Sequence, residues 1–152
     1  MNRSTVHYQW CRLAELSALE FHALIKLRES VFVVEQHCVC QEADDYDLKA
    51  WHLIARLGAQ IVAYCRVKDP GTRYAEPSIG RVLTAPSHRG LGLGQQLMAE
   101  CMRRCAAQHP HTALRISAQS YLLRFYESFG FVVCSEQYLE DNIPHHEMLR
   151  AA

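Results

Sequence analysis

The sequence predicts an α/β (α+β) domain built around one central mixed sheet. Three observations predict it. Short β-branched and apolar runs alternate along the chain with segments of helical spacing. Turn signals rich in Gly, Pro and Asp separate these runs. No repeat, low-complexity stretch or linker divides the 152 residues, which are read as a single domain, 1–152.

Residues 6–11 form the first expected strand. Ser17-Ala18-Leu19-Glu20 has the capping-box pattern, in which the Ser hydroxyl and the Glu carboxylate each satisfy a free backbone donor. Phe21, Leu24, Ile25 and Leu27 follow at helical spacing, with Lys26 and Glu29 between them. This helix is expected to end within 31–35, where Val31-Phe32-Val33-Val34 is strand-prone. Residues 37–50 read as an acidic loop, and 51–57 and 61–67 as two strands joined by a turn at Gly58. Asp69-Pro70-Gly71 signals a further turn, and 79–84 is a short apolar strand. A glycine-punctuated loop at 85–94 then opens a helix whose apolar stripe is Leu97, Met98, Cys101, Met102 and Cys105. Residues 114–118 are a strand. Residues 121–129 are a helix, with Ser120 as N-cap and Gly130 just past its end. Strands at 131–138 and 146–149 close the chain.

Lys plus Arg and Asp plus Glu each number 16, so the net charge is zero with neutral histidines. That balance excludes a general attraction to nucleic acid or to an anionic membrane. No apolar run is long enough to span a bilayer, and residues 1–10 lack the apolar core of a signal peptide. A cytoplasmic location is expected. The seven cysteines, odd in number and scattered over strands and helices, read as reduced thiols.

The strongest chemical signal is Arg89-Gly90-Leu91-Gly92-Leu93-Gly94-Gln95-Gln96, between a strand and an amphipathic helix. Glycines admit positive φ and close ligand approach. A helix start leaves free N–H donors at a positive dipole end, suited to a pyrophosphate. Gly94 is followed by Gln95 rather than Lys, which excludes a P-loop, and neither Gly90 nor Gly92 starts a G-x-G-x-x-G fingerprint. Arg89-x-x-Gly92-x-Gly94, preceded by Ile79 to Thr84 and Pro86, instead resembles motif A of the GNAT acyl-CoA N-acyltransferase superfamily. Phe125-Tyr126 followed three residues later by Gly130-Phe131 resembles motif B of the same superfamily.

The resemblance implies a central mixed, mostly antiparallel sheet flanked by helices, and transfer of an acetyl group from acetyl-CoA to an amine by direct attack. By resemblance, Val82, Leu83 and Thr84 pair with the pantetheine arm and offer an N–H to the oxyanion. The segment Arg89, Gly90, Leu91, Gly92, Leu93, Gly94 and Gln95 holds the pyrophosphate, with Phe125 beside the cofactor. Gln119 stands where many members carry an Asn that contacts the pantetheine arm, and its amide can make that contact with a longer reach. Tyr126 lies near the sulfur, where a phenol can donate a proton to the departing thiolate.

Leu27 to Gln36, with Gln41, Asp44, Asp47, His52 and the stretch Tyr138 to His145, resembles the ElaA-like subfamily. A carboxylate at Glu35 and imidazoles at His52 and His145 are the candidate bases. Glu35, Asp44, Asp47 and His145 are the candidate acceptor-binding residues, an acidic rim for a cationic amine. The expected partners are a small-molecule or peptide amine, with no nucleic acid, no membrane, and a homodimer by family resemblance. A non-catalytic acyl-CoA sensor of the same fold is the alternative. A zinc site around His37, Cys38, Cys40 and His52 lacks a second paired motif, so no metal is expected.

Overall fold

The computed structural model describes residues 5–152; residues 1–4, which open the segment searched for a leader, lie outside it. One eight-stranded sheet runs through it in the order β1-β2-β3-β4-β5-β8-β6, with β7 also pairing β8. The strands are β1 (His7–Arg12), β2 (Trp51–Leu57), β3 (Gln60–Lys68), β4 (Ser78–Thr84), β5 (Leu114–Gln119), β6 (Val132–Val133), β7 (Tyr138–Glu140) and β8 (Ile143–Arg150). All neighbours are antiparallel except β4 and β5.

The period of two along β3 sorts its side chains between two layers. Ala63, Cys65 and Val67 join Leu97, Met98 and Cys101 of helix α2 (Leu93–Gln108) in the larger apolar cluster. Tyr64 points the other way and packs with Leu24 and Val31 beside helix α1 (Ala18–Glu29). Ser17 and Glu20 form the expected capping box: Ser17 Oγ accepts from the Glu20 N–H at 3.1 Å, and Glu20 Oε1 accepts from the Ser17 N–H at 3.0 Å. The helix does not stop at the β-branched run. It widens into a π-helical turn, Ser30–Glu35, because Val31 is drawn into the apolar layer over β3 and tertiary burial overrides the strand propensity.

The last third of the chain differs from the expectation in detail. Ser120 does not cap a helix; its hydroxyl pairs with His146 Nδ1 at 2.8 Å, and a 3₁₀ turn (Ser120–Leu122) precedes the short helix α3 (Leu123–Glu127). The strand expected at 131–138 forms only as the short β6 and β7 segments on one flank of β8.

Candidate active site

The parallel strands β4 and β5 pair only through Ser78 and Arg115, near their first residues. Beyond that point they part, and a cavity of about 460 Å³ occupies the gap. One end is built by the glycine loop. Gly90 and Gly92 take φ of 79° and 76°, where an L side chain is strained, and Gly92 stands at the N-cap of α2 with no side chain capping it. The Gln96 N–H finds the Gly92 carbonyl at 3.2 Å, so the donors of the first helical turn ahead of it have no intrahelical partner. Such free donors at a helix start suit an anion, and they lie beside the cavity wall at Gly94.

The wall along β4 carries a bulge. The β3–β4 register shifts between Tyr64 and Arg66, so that Arg81 and Val82 together oppose Cys65, and Arg81 takes φ 52°. A non-glycine residue held there is strained, and the kink turns the β4 main chain toward the cavity at Val82. Across the gap, Tyr126 of α3 is buried against Phe125 and Phe131, at ring separations of 5.1 and 6.2 Å. Burial pushes its phenol pKa up, so Tyr126 stays protonated at the cavity wall.

The π-helical turn reaches over this end. Arg89 donates to both Glu35 carboxylate oxygens, at 2.8 and 3.1 Å. The amides of Gln36 and Gln119 meet at 3.4 Å. Beside Gln119, its β8 partner His145 donates from Nδ1 to the Ile143 carbonyl at 2.7 Å, its Nε2 lies 3.4 Å from Glu140 Oε2, and its ring stacks on Tyr138. Glu140 also binds Arg73, and the Ser117 hydroxyl pairs with that of Tyr138.

The profile of the family described as "Acetyltransferase (GNAT) domain" matches residues 26–151. The chain belongs to the GNAT acyltransferases. It is similar to protein ElaA of Escherichia coli, with 37% identity over 95% of this chain and 96% of that one; the ElaA crystal structure superposes with a TM-score of 0.89. It is equally similar to a crystal structure described as an acyl-CoA N-acyltransferase from Pseudomonas aeruginosa, with 40% identity, 97% and 100% coverage and a TM-score of 0.91. A UPF0039 protein of Synechocystis is 41% identical over 95% of this chain and 94% of its own. These likenesses place the chain in the ElaA-like subfamily, with the GNAT acyl-CoA N-acyltransferase fold.

Within this GNAT chain, Val82, Leu83, Thr84, Arg89, Gly94, Gln119, Phe125 and Tyr126 all border the cavity. Gly90, Leu91, Gly92, Leu93 and Gln95 complete the loop and the first turn of α2. Glu35 and His145 border it too. His52 does not. It is fully buried, with Tyr64 O–H donating to Nδ1 at 2.6 Å and Nε2–H donating to the Asp47 carbonyl at 3.0 Å. Burial lowers its pKa, and with both nitrogens engaged it has no free lone pair for a substrate; the expectation of a base there is corrected.

Asp44 and Asp47 are likewise not an acidic rim. Asp47 is 3% exposed and accepts from Arg28 at 2.8 Å and Arg66 at 2.9 Å; Asp44 accepts from Arg66 at 2.6 Å and lies 3.6 Å from Arg81. Their charges are consumed inside the protein, because the acidic loop folds inward onto buried arginines. Cys38 and Cys40, expected as free thiols, are joined as a disulfide at the cavity wall, with an Asp141 oxygen nearby. So joined, they offer no thiolate to a metal.

The sequence reading missed Gln36, Arg66, Lys68, Arg73 and Arg81, all of which border the cavity. A signal was present for two of them. Tyr64, Arg66 and Lys68 alternate with apolar residues along β3, which puts three polar groups on one face of a buried strand.

Proposed function

We propose that this GNAT acyltransferase moves the acetyl group of acetyl-CoA to a primary amine by direct attack. The observation that carries the reading is one cavity joining the uncapped start of α2 to a buried, protonated Tyr126. The cofactor's diphosphate would sit on the free N–H donors of the first turn of α2, with Arg89 adding a charge-assisted contact. Its pantetheine arm would run along Val82, Leu83 and Thr84 in the gap between β4 and β5. The neutral amine attacks the thioester carbonyl, and an N–H at the β4 bulge receives the oxyanion. As the tetrahedral intermediate collapses the C–S bond breaks, and the Tyr126 hydroxyl gives its proton to the leaving sulfur. The attacking nitrogen gives up its ammonium proton to water in the cavity before the collapse, and a proton from water restores the Tyr126 phenol, so that the products are the amide and the free thiol. Holding both substrates in one gap supplies much of the acceleration. A cytoplasmic site of action belongs to the same proposal.

The test is CoA release from acetyl-CoA against a panel of amines, with Tyr126→Phe beside the unmodified chain. The variant is expected to bind acetyl-CoA and to lose about a hundredfold in kcat. Unchanged kcat removes Tyr126 from the mechanism. Acetyl-CoA binding with no turnover of any amine marks the chain as an acyl-CoA sensor instead.

A further inference from the structure

The end of the cavity away from the glycine loop holds a cation without a counter-ion. Lys68 ends β3 and is 7% exposed, yet it borders the cavity. Among the described residues its ammonium makes no ion pair or hydrogen bond; it lies over the face of the Tyr46 ring, 3.9 Å from its centroid. The main charges acting on it are cations: Arg66, Arg73 and Arg81 each add repulsion, and Asp44 opposes them. Nearby carboxylates are already engaged. Glu42 serves Arg28 and Arg81, Asp44 and Asp47 serve Arg66, and Glu140 serves Arg73. Asp141 stands by the Cys38–Cys40 disulfide and does not come within ion-pair distance of Lys68. A second donor in the same group is also unmet: Arg66 Nε is buried with no hydrogen-bond partner. Burying an unpaired ammonium among arginines is unfavourable, and its removal from water is compensated when a ligand brings an anion.

We propose that Lys68, backed by Arg66 and Arg73, receives an acidic group on the acceptor, so that the acceptor is an amine that also carries a carboxylate or phosphate. This rests on the acyltransferase reading, and it replaces the cationic acceptor expected from the acidic loop. An amine that carries an acid fits both halves: its acid anchors at Lys68 while its amine faces the β4 bulge and Tyr126. A polyamine does not fit, because it would bring more positive charge to an end already in surplus.

The experiment measures kcat/KM for matched sets with acetyl-CoA: L-amino acids, their aminoalkylphosphonate analogues, their amides, their decarboxylated amines, and spermidine. The acidic members are expected to exceed their amides by about ten- to a hundredfold, the usual worth of a hydrogen bond to a charged partner. Preference for the carboxylates or for the phosphonates identifies which acid is read. In Lys68→Met that ratio should collapse toward one through a raised KM, and Lys68→Arg should restore part of it. An equal or better rate with amides, decarboxylated amines or spermidine overturns the proposal, as does a ratio that Lys68→Met leaves intact. If an amide, a decarboxylated amine or spermidine is turned over and no acidic amine is, the acceptor assignment fails alone; if acetyl-CoA does not bind, or binds and no amine of any kind is turned over, the acyltransferase reading fails with it.

Discussion

At the scale of single residues, the state of Lys68 ties specificity to pH. Burial first, then repulsion from Arg66 and Arg73, lowers its pKa to about 8. An acidic acceptor should therefore show a level KM below pH 8 and a KM that rises about tenfold per unit above it, as the ammonium loses its proton. The matched amide, measured over the same range, should show no such break; a flat KM for the acidic acceptor through pH 9.5 would exclude Lys68 as its anchor. The same shift bears on folding. The unfolded lysine titrates near 10.4, so the unfolded chain holds more protons between about pH 8 and 10.4, and stability rises with pH in that window. Below pH 8 the whole penalty is present. Lys68→Met should accordingly stabilise the protein at pH 7 by on the order of 1–3 kcal/mol, seen as a raised Tm. A lowered Tm would mean that packing on Tyr46 outweighs the buried charge. Tyr126 and Arg89 were legible in the sequence because a local motif marks them. The face of Lys68 could be read from the alternation along β3, but its meaning could not, because that depends on what it lacks, and missing partners appear only once the chain is folded.

At the scale of elements, the glycine loop and the capping box were legible because each acts through hydrogen bonds within four residues. The π-helical turn was not, since its form is set by burial of Val31 against another layer. That turn holds Glu35 on Arg89 and Gln36 on Gln119, two groups the cofactor is proposed to use. Binding would exchange these pairs for the cofactor. Glu35 thereby has two readings, a base or a latch, and Glu35→Gln separates them. The pair is nearly half exposed, 46% for Arg89 and 43% for Glu35, and such pairs are worth about 0.2–1 kcal/mol. As a latch, its loss should tighten acetyl-CoA binding by no more than about fivefold, read by calorimetry, with kcat little altered. A drop in kcat of a hundredfold or more would restore Glu35 as the base.

At the scale of the whole molecule, a part of the charge that composition gives as balanced is turned inward. Arg28, Arg66 and Arg81 bind Glu42, Asp44 and Asp47, joining α1, the acidic loop, β3 and β4 around His52 and Tyr64. The partners stand 14 to 39 residues apart in sequence, so no local pattern could reveal them. The sheet order was hidden for the same reason. Asp47 is the hub, since it serves two arginines by its carboxylate and His52 by its carbonyl. Burial alone would raise its carboxyl pKa, but hydrogen bonds and charge from Arg28 and Arg66 overcome that and hold it below the usual range. Its contribution is therefore full above the unfolded value near 3.9 and is lost as pH falls through the lower folded one. His52 acts earlier. Its folded pKa lies below its ordinary value, so on acidification the unfolded chain takes up that proton first, and stability begins to fall below about pH 6.5. The Tm should thus be level near neutrality, decline below pH 6.5 and drop steeply below pH 4. His52→Gln should remove the first decline and keep the second. Asp47→Asn should cost about 3–5 kcal/mol at pH 7, because it leaves two buried guanidinium groups short of charge. If its Tm matched that of the unmodified chain across the whole pH range, the inward network would be incidental to the fold.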